Sequence, residues 1–504
     1  MSLLGDGPVP PFQGPLWILA RHFGIYSIGA ALSLICSLAL LPVYATQFSP
    51  GNFGIVVTGQ VIAVLAATVA RLGIGIGMFR YLAVYHARGS AQAEDAIVTT
   101  CMAASLVCGL IATSIMLLGL KILGSGVTAV VQLTGILIAL NVTLSAPREI
   151  AELALRAKQR AGAYVWLSSS FLILSTLFTV GLAIASHGSV ASVFIAILIA
   201  NGITSSAGLY MLRTHLSRKV FSGLELKRSL RFGVPSLPAL LADWVMQYSD
   251  RFFLTRFAGL AQVGVYSMGY RIGLIEQQVL GTAIQAAWDP FVLRSYGEET
   301  GSRAMGRGAT YFAIAGMALV VLISASAQTI FTIVHARPEY FAATPIVFLI
   351  ALASFFGMLQ GLFLAPTSIQ LRPEFGTLVR ALGAFINVGL NFLLIPTFGI
   401  LGAAWATVVT FVISAVATEL LGRRLWRIAY EYRRLVLIVV GGLITLVGIY
   451  LAQQAKFTGP VGLEPILAES IFIAWLFLTR ILSTTDVAVV VQSFRRAAGS
   501  SSQS

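Results

Sequence analysis

The sequence predicts an all-α polytopic membrane protein of about fourteen transmembrane helices. Three observations predict it. Hydrophobic residues make up 57% of the 504-residue chain and charged residues only 10%, against about 25% charged in soluble domains; mean hydropathy is +0.88. Apolar blocks of about 20 residues, long enough to cross a bilayer core as helices, recur along the whole length. Alternating barrel patterning is absent, which leaves helices as the spanning structure.

The elements follow in order. The segment "MSLLGDGPVPPFQGP" that opens the expected cytoplasmic stretch 1–23 is Pro/Gly-rich and polar, with no charged n-region or cleavage site, so the apolar block at 24–47 reads as a retained span. Spans two to six fall at 53–79, 96–120, 127–147, 162–186 and 189–212. A basic connector, "RTHLSRKVFSGLELKRSLR" (213–231), leads to spans seven to twelve at 232–257, 262–289, 307–333, 344–365, 376–397 and 400–421. A second basic connector, "GRRLWRIAYEYRR" (422–434), precedes spans thirteen and fourteen at 435–453 and 464–482, and 483–504 forms a tail.

Both connectors, "REIAELALRAKQR" (148–160), Arg80, Arg88, Arg294, Arg303, Arg372, Arg495 and Arg496 fall on one side of such a count. The other side offers little beyond Lys121, Arg337 and Lys456. The asymmetry places both termini in the cytoplasm, so the net charge of +14 is mainly a topology signal. Nucleic acid is excluded as a partner because no basic patch is backed by a soluble domain. Cys36, Cys101 and Cys108 all lie in spans and read as packing residues. No metal cluster or cofactor motif is present, and the five histidines are scattered.

A short internal repeat divides the chain. Thr46, Phe48, Gly54, Gly59 and Ile62 fall opposite Thr255, Phe257, Gly264, Gly269 and Ile272, each set joining the first and second spans of a six-span block. The same order in both blocks implies parallel lobes about an axis normal to the membrane. The first lobe would be 24–212 and the second 228–421, joined by a cytoplasmic linker at 213–227. Residues 422–482 would add two extra helices outside the repeat.

Seven charged residues lie well inside spans: Arg71, Asp243, Asp250, Arg251, Arg271, Glu276 and Asp289. Each would cost about 2.5–3.5 kcal/mol facing lipid at mid-membrane, so they must face one another, water or a ligand. Asp243, Gln247 and Asp250 are spaced i, i+4, i+7 on one helical face, with Arg251 at its edge. On the eighth span, Ser267, Arg271, Gln278, Thr282, Gln285 and Asp289 fall within about 40° of a common direction. That polar stripe suggests a water-filled cavity. Glu276 points away from it, so an inter-helix pair is equally open for that residue. Arg71 shares a face with Gln60. Asn387 and Asn391, i and i+4 on the eleventh span, suit either hydrogen bonding across helices or cavity lining.

Several segments resemble one family. "RFGVPSLPALLADWVMQYSDRFFLTRFAGLAQVGVYSMGYRIGLI" (231–275), "AWDPFV" (287–292), "NVGLNFLLIPTFGILGAAWATVV" (387–409), "LPVYATQFSPGNFGIV" (41–56) and "LRAKQRAGAYVWL" (155–167) are similar to segments of polysaccharide transporters. These are the oligosaccharide and O-antigen flippases of the multidrug/oligosaccharidyl-lipid/polysaccharide exporter superfamily. The resemblance implies two six-helix lobes around a central cavity lined by spans one, two, seven and eight. It also implies movement of an undecaprenyl-diphosphate-linked oligosaccharide across the bacterial inner membrane, with polysaccharide polymerase and chain-length machinery as candidate partners. Arginines Arg71, Arg251 and Arg271 would meet the diphosphate. The carboxylates Asp243, Asp250, Asp289 and Glu276 would serve coupling to H+ or Na+ or act as charge partners. Gln60, Gln247, Gln278, Thr282, Gln285, Asn387 and Asn391 would complete the polar lining. Spans thirteen and fourteen resemble the extra pair of the lipid II flippase branch. No cofactor, no catalytic residue and a monomer are expected. A multidrug or cation antiporter of the same fold suits a cavity with three arginines less well. A membrane glycosyltransferase or polymerase would need a longer catalytic loop than these connectors provide.

Overall fold

A computed structural model describes residues 16–126, 128–216, 221–281, 288, 291–292, 295–296, 300–370, 372–454 and 463–482. The described residues are helical and contain no strand. Nine of their helical stretches are long and apolar enough to cross a membrane, and the longest, Glu374–Leu425, holds two expected spans.

Helix α1 (Leu16–Gln47) meets α2 (Pro50–Ala70) in a two-residue turn. Ser49 caps α2, its Oγ accepting from the Asn52 amide at 3.3 Å, and Pro50 supplies the fixed φ suited to a first helical turn. The second span, expected as one helix, is broken after Ala70. Leu72 and Gly73 both take positive φ, 48° and 69°, before α3 (Ile74–Ala87) starts in a new direction. Helices α4 (Ala91–Leu123), α5 (Ala129–Leu144), α6 (Ala146–Ala157), α7 (Ala161–Ala185) and α8 (Val190–Leu212) complete a first group that packs mainly on itself.

The inter-lobe connector is not a plain linker. Ser222 caps α9 (Gly223–Gly233), whose residues Glu225, Ser229 and Gly233 share one buried stripe. That stripe packs on α3 and α4. Residues 228–233, which the sequence assigns to the second lobe, therefore rest on the first group. Gly73 and Gly233 meet backbone to backbone; a Cβ on Gly233 would lie 2.2 Å from the Gly73 carbonyl oxygen.

The second group comprises α10 (Leu237–Phe257), α11 (Leu260–Gly273), α12 (Gly301–Ile333), α13 (Thr344–Phe363) and α14 (Pro373–Leu425). Gly399, at φ 56°, breaks α14 into the eleventh and twelfth expected spans. Helices α15 (Tyr432–Gln454) and α16 (Leu463–Leu478) pack on each other and on α12.

The groups meet most closely where α2 crosses α11. A Cβ on Gly54 would fall 1.9 Å from the Leu260 carbonyl oxygen, and one on Gly264 would fall 1.9 Å from that of Pro50. Gly54 and Gly264 are the glycines paired by the internal repeat, so the contact is reciprocal, as expected where equivalent surfaces face each other across a two-fold axis. Around it a continuous apolar cluster joins Tyr44, Phe48, Phe53 and Val56 of the first group to Val265, Met268, Ile272, Tyr340 and Val347 of the second. Arg337 adds a polar clamp: its backbone amide donates to Ala45 O (3.1 Å) and its Nε to Thr46 O (3.0 Å). The Tyr340 hydroxyl donates to Phe48 O at 3.2 Å. This α1–α2 turn side is the hairpin end of the molecule; the side carrying the connectors is the basic end.

Candidate functional site

Below the hairpin-end contact lies a cavity of about 390 Å³ between α2, α5 and α8 on one side and α10 on the other. Most of its wall is aliphatic, from Val57, Val61, Val64, Ile138 and Ile197; Gln60, Asn141, Tyr248 and Arg251 supply the polar groups. A few polar groups in an apolar hollow is the usual make-up of a binding pocket. A larger apolar groove of about 720 Å³ runs between α12, α13, α14 and α15, with Trp405 and Tyr450 in its wall. It holds no charged side chain, so the smaller cavity is the candidate for a charged ligand.

Arg251 is 4% exposed and held from several directions. Its Nη1 donates to Asp250 Oδ1 (2.7 Å) and to the Gln247 carbonyl (2.6 Å), while its Nε, also buried, has no partner. Three tyrosine rings surround the guanidinium: Tyr270 at 4.0 Å, Tyr266 at 5.4 Å and Tyr248 at 5.6 Å from their centroids. Such an aromatic box offsets part of the cost of burying the cation. Asp250 is fully engaged as well, accepting from the Tyr266 hydroxyl at 2.6 Å and from the Arg251 amide at 2.8 Å. It is therefore a fixed counter-charge and not a free carboxylate.

Arg271 differs. It projects from α11 with its guanidinium 4.8 Å over the Tyr44 ring of α1, and no carboxylate among the described residues pairs with it. It thus joins the two groups with its charge unmatched among the described residues, beside the helix that carries Gln60. Asp243, further toward the basic end of α10, is half-exposed and lies 3.5 Å from Arg380 of α14. Gln247 is exposed on the same helix.

Several sequence expectations need correction. Arg71 is no open cation: it ion-pairs with Glu149, its Nη2 donates to Ser145 Oγ at 2.7 Å, and Arg148 and Glu152 extend the network. It ties the end of α2 to the α5–α6 junction within the first group. Asn387 and Asn391 do not line the cavity. They are 1% and 0% exposed and bond with Ser249 of α10 and Thr410, so cross-helix bonding is their role. The eighth-span stripe is also interrupted. Helix α11 ends at Gly273 and the chain winds as a π turn over Gln277–Gly281, which breaks the 100° rotation that aligned Gln278 with Arg271. Ser267 is buried with its hydroxyl unpartnered, and Gln278 Oε1 likewise. Glu276 forms no inter-helix pair; both its oxygens are buried without a partner. Thr282, Gln285 and Asp289 lie outside the described residues.

The tyrosine box, Asn141 and Arg380 were not among the sequence candidates. Tyr266 and Tyr270 at i, i+4 facing a buried arginine was the available signal. Arg380, four residues into an apolar span, was another.

The protein-family model described as polysaccharide biosynthesis protein matches residues 19–295. No curated protein is similar enough in sequence to count as a relative. Among solved structures, the lipid II flippase MurJ in an inward closed conformation aligns with TM-score 0.72 at 12% identity, over 92% of this chain and 100% of its own. An inward-facing multidrug resistance MATE family transporter of the MOP superfamily aligns with TM-score 0.61 at 18% identity, over 78% of this chain and 97% of its own. A MOP superfamily transporter from Pyrococcus furiosus gives 0.58 at 18% identity, over 81% and 95%. These likenesses show a shared all-helical polytopic fold.

Proposed function

The chain belongs to the polysaccharide biosynthesis protein family, and from that premise we propose that it is a flippase for a polyprenyl-diphosphate-linked oligosaccharide. It would carry undecaprenyl-diphosphate-linked repeat units from the cytoplasmic to the outer leaflet of a bacterial inner membrane, for exopolysaccharide, capsule or lipopolysaccharide synthesis. The basic end would face the cytoplasm, in keeping with the enrichment of Lys and Arg in cytoplasmic loops. The protein acts as a transporter and not as an enzyme.

One observation carries the reading: Arg271 stands between the two groups with no carboxylate partner among the described residues, close to a cavity whose wall holds Arg251. A guanidinium binds phosphate oxygens in pairs and does not deprotonate, so the arrangement suits a diphosphate better than a cation. The polyprenyl tail can remain in lipid while the diphosphate and sugars, which hydrocarbon excludes, pass between the groups. A negative-inside potential assists, by about 2.3 kcal/mol per charge per 100 mV. Alternating access would follow from rocking of the groups about the cavity, with H+ or Na+ coupling through Asp243, Asp289 or Glu276.

A lipid II-type substrate is the second reading, favoured by the 92% coverage against MurJ, which takes in more of this chain than the MATE matches do. Both readings share the polyprenyl diphosphate. In a reconstituted flipping assay, Arg271→Ala should abolish transport and Arg251→Ala should reduce it, with correctly folded protein in each case. Full activity of Arg271→Ala would overturn the arginine assignment.

A further inference from the structure

Glu276 lies in the membrane segment just beyond α11, is 0% exposed, and has no hydrogen-bond partner for either carboxyl oxygen. No cation among the described residues is within ion-pairing distance of it. Its surroundings explain this. Gly273, one turn earlier, abuts Val347 and Ile350 of α13, and neither α13 nor α2 contains a titratable residue. Helix α1 contributes Cys36 and Tyr44 over its described side chains, and α12 only Tyr311 between 308 and 333. Helix α10 contributes Asp243, Tyr248, Arg256 and the mutually neutralised Asp250–Arg251 pair; α14 contributes Arg380, engaged with Asp243, and at its two ends Glu374, paired with Arg372, and Glu419, paired with Arg423, beside Arg424. Glu339 and Tyr340 belong to the hairpin end, and Tyr270 and Arg271 precede Glu276 on its own helix.

An ionised carboxylate so enclosed would forfeit its hydration with nothing in return, whereas a carboxylic acid forfeits far less. A second feature marks the position as built to change. The chain turns at Leu274 and continues as the π turn Gln277–Gly281, which packs on α1 of the first group and on α13 of the second. Glu276 is therefore placed where the groups meet, beside a helix irregularity of the kind often found at functional sites.

We propose that Glu276 is the proton-binding group of the transport cycle: the groups close around it only when it carries a proton, and their separation lets water in and the proton out. This rests on the flippase reading and deepens it, naming H+ as the coupling ion and one carboxyl as its carrier. Each closure takes one proton from water to the Glu276 carboxylate, and each deprotonation returns one; no other bond changes.

Two measurements on the full-length protein test it. Infrared difference spectra of wild type against Glu276→Gln in phosphatidylethanolamine/phosphatidylglycerol vesicles should show a protonated-carboxyl carbonyl stretch near neutral pH that the variant lacks. Absence of that difference would overturn the proposal. Flipping of a fluorescent polyprenyl-diphosphate disaccharide in the same vesicles should respond to an imposed pH gradient by up to about tenfold per unit in wild type, the free energy of one proton. Glu276→Gln should lose that response; a retained response would overturn the assignment. Wild type that shows the infrared band but flips no probe would defeat the flippase reading and leave the proton site standing. Glu276→Leu, equally in no need of a proton, serves if the glutamine variant does not fold. Failure of both neutral variants to fold would mean that the charge is required there, and would also overturn the proposal.

Discussion

Replacing Gly54 by valine tests whether the α2–α11 crossing holds the hairpin end shut. In the structure a Cβ at this position would lie 1.9 Å from the Leu260 carbonyl oxygen, and ordinary contact begins at 3.4 Å, so the helices must part by about 1.5 Å. The obstacle is backbone and cannot swing aside. Parting them loosens the apolar cluster of Tyr44, Phe53 and Val56 against Val265, Met268 and Ile272. Overpacking of this kind costs about 1–3 kcal/mol; at about 2 kcal/mol the closed form loses roughly 30-fold against the open one. Met268 is 0% exposed and reports on the change. In a background with Cys36, Cys101 and Cys108 replaced, Met268→Cys in nanodiscs should react with a soluble maleimide about 30-fold faster once Gly54→Val is added. Gly264→Val should act alike. The double variant should cost no more than about either single one, since one separation relieves both clashes. Unchanged labelling in a folded Gly54→Val protein, or fully additive single effects, would refute the reasoning.

Asp250→Asn should lower thermal stability by about 3–5 kcal/mol, because it strands the buried Arg251 charge. Asp243→Asn should cost less than about 1 kcal/mol, because its pair with Arg380 is half-exposed; thermal-shift measurements compare the two. Arg337→Ala should weaken the hairpin-end clamp by about 1 kcal/mol, read as faster hydrogen exchange in residues 45–53 with the basic end unchanged. Gly441→Leu should detach α16 from α15, since a Cβ there would meet the Trp475 ring at 2.1 Å; limited proteolysis between the two helices should accelerate while the rest of the chain stays protected.

Much of this architecture was legible in the sequence because it depends on local pattern. Apolar length marks the spans, and the repeat singled out Gly54 and Gly264 although it could not say that they touch. Function-bearing detail was less accessible where it depends on distant partners. Glu149 lies 78 residues from Arg71, and nothing in the spacing of either announces the pair. The eighth-span stripe assumed a constant 100° per residue; the positive φ values at Leu72 and Gly73 and the π turn at Gln277–Gly281 break such projections without a compositional mark. Ser249 carried no charge to draw notice, yet it anchors both asparagines.

Among the described residues the helix pair α15 and α16 attaches to the second group, chiefly through α12, with Tyr432 of α15 also bonding Glu419 of α14. Ser302 bonds the connector before α15 and Thr310 bonds Glu431 within it, tightening that attachment. The two groups are thus unequal bodies in a viscous film. Any movement of one group against the other would therefore carry α15 and α16 with the second group as a single body.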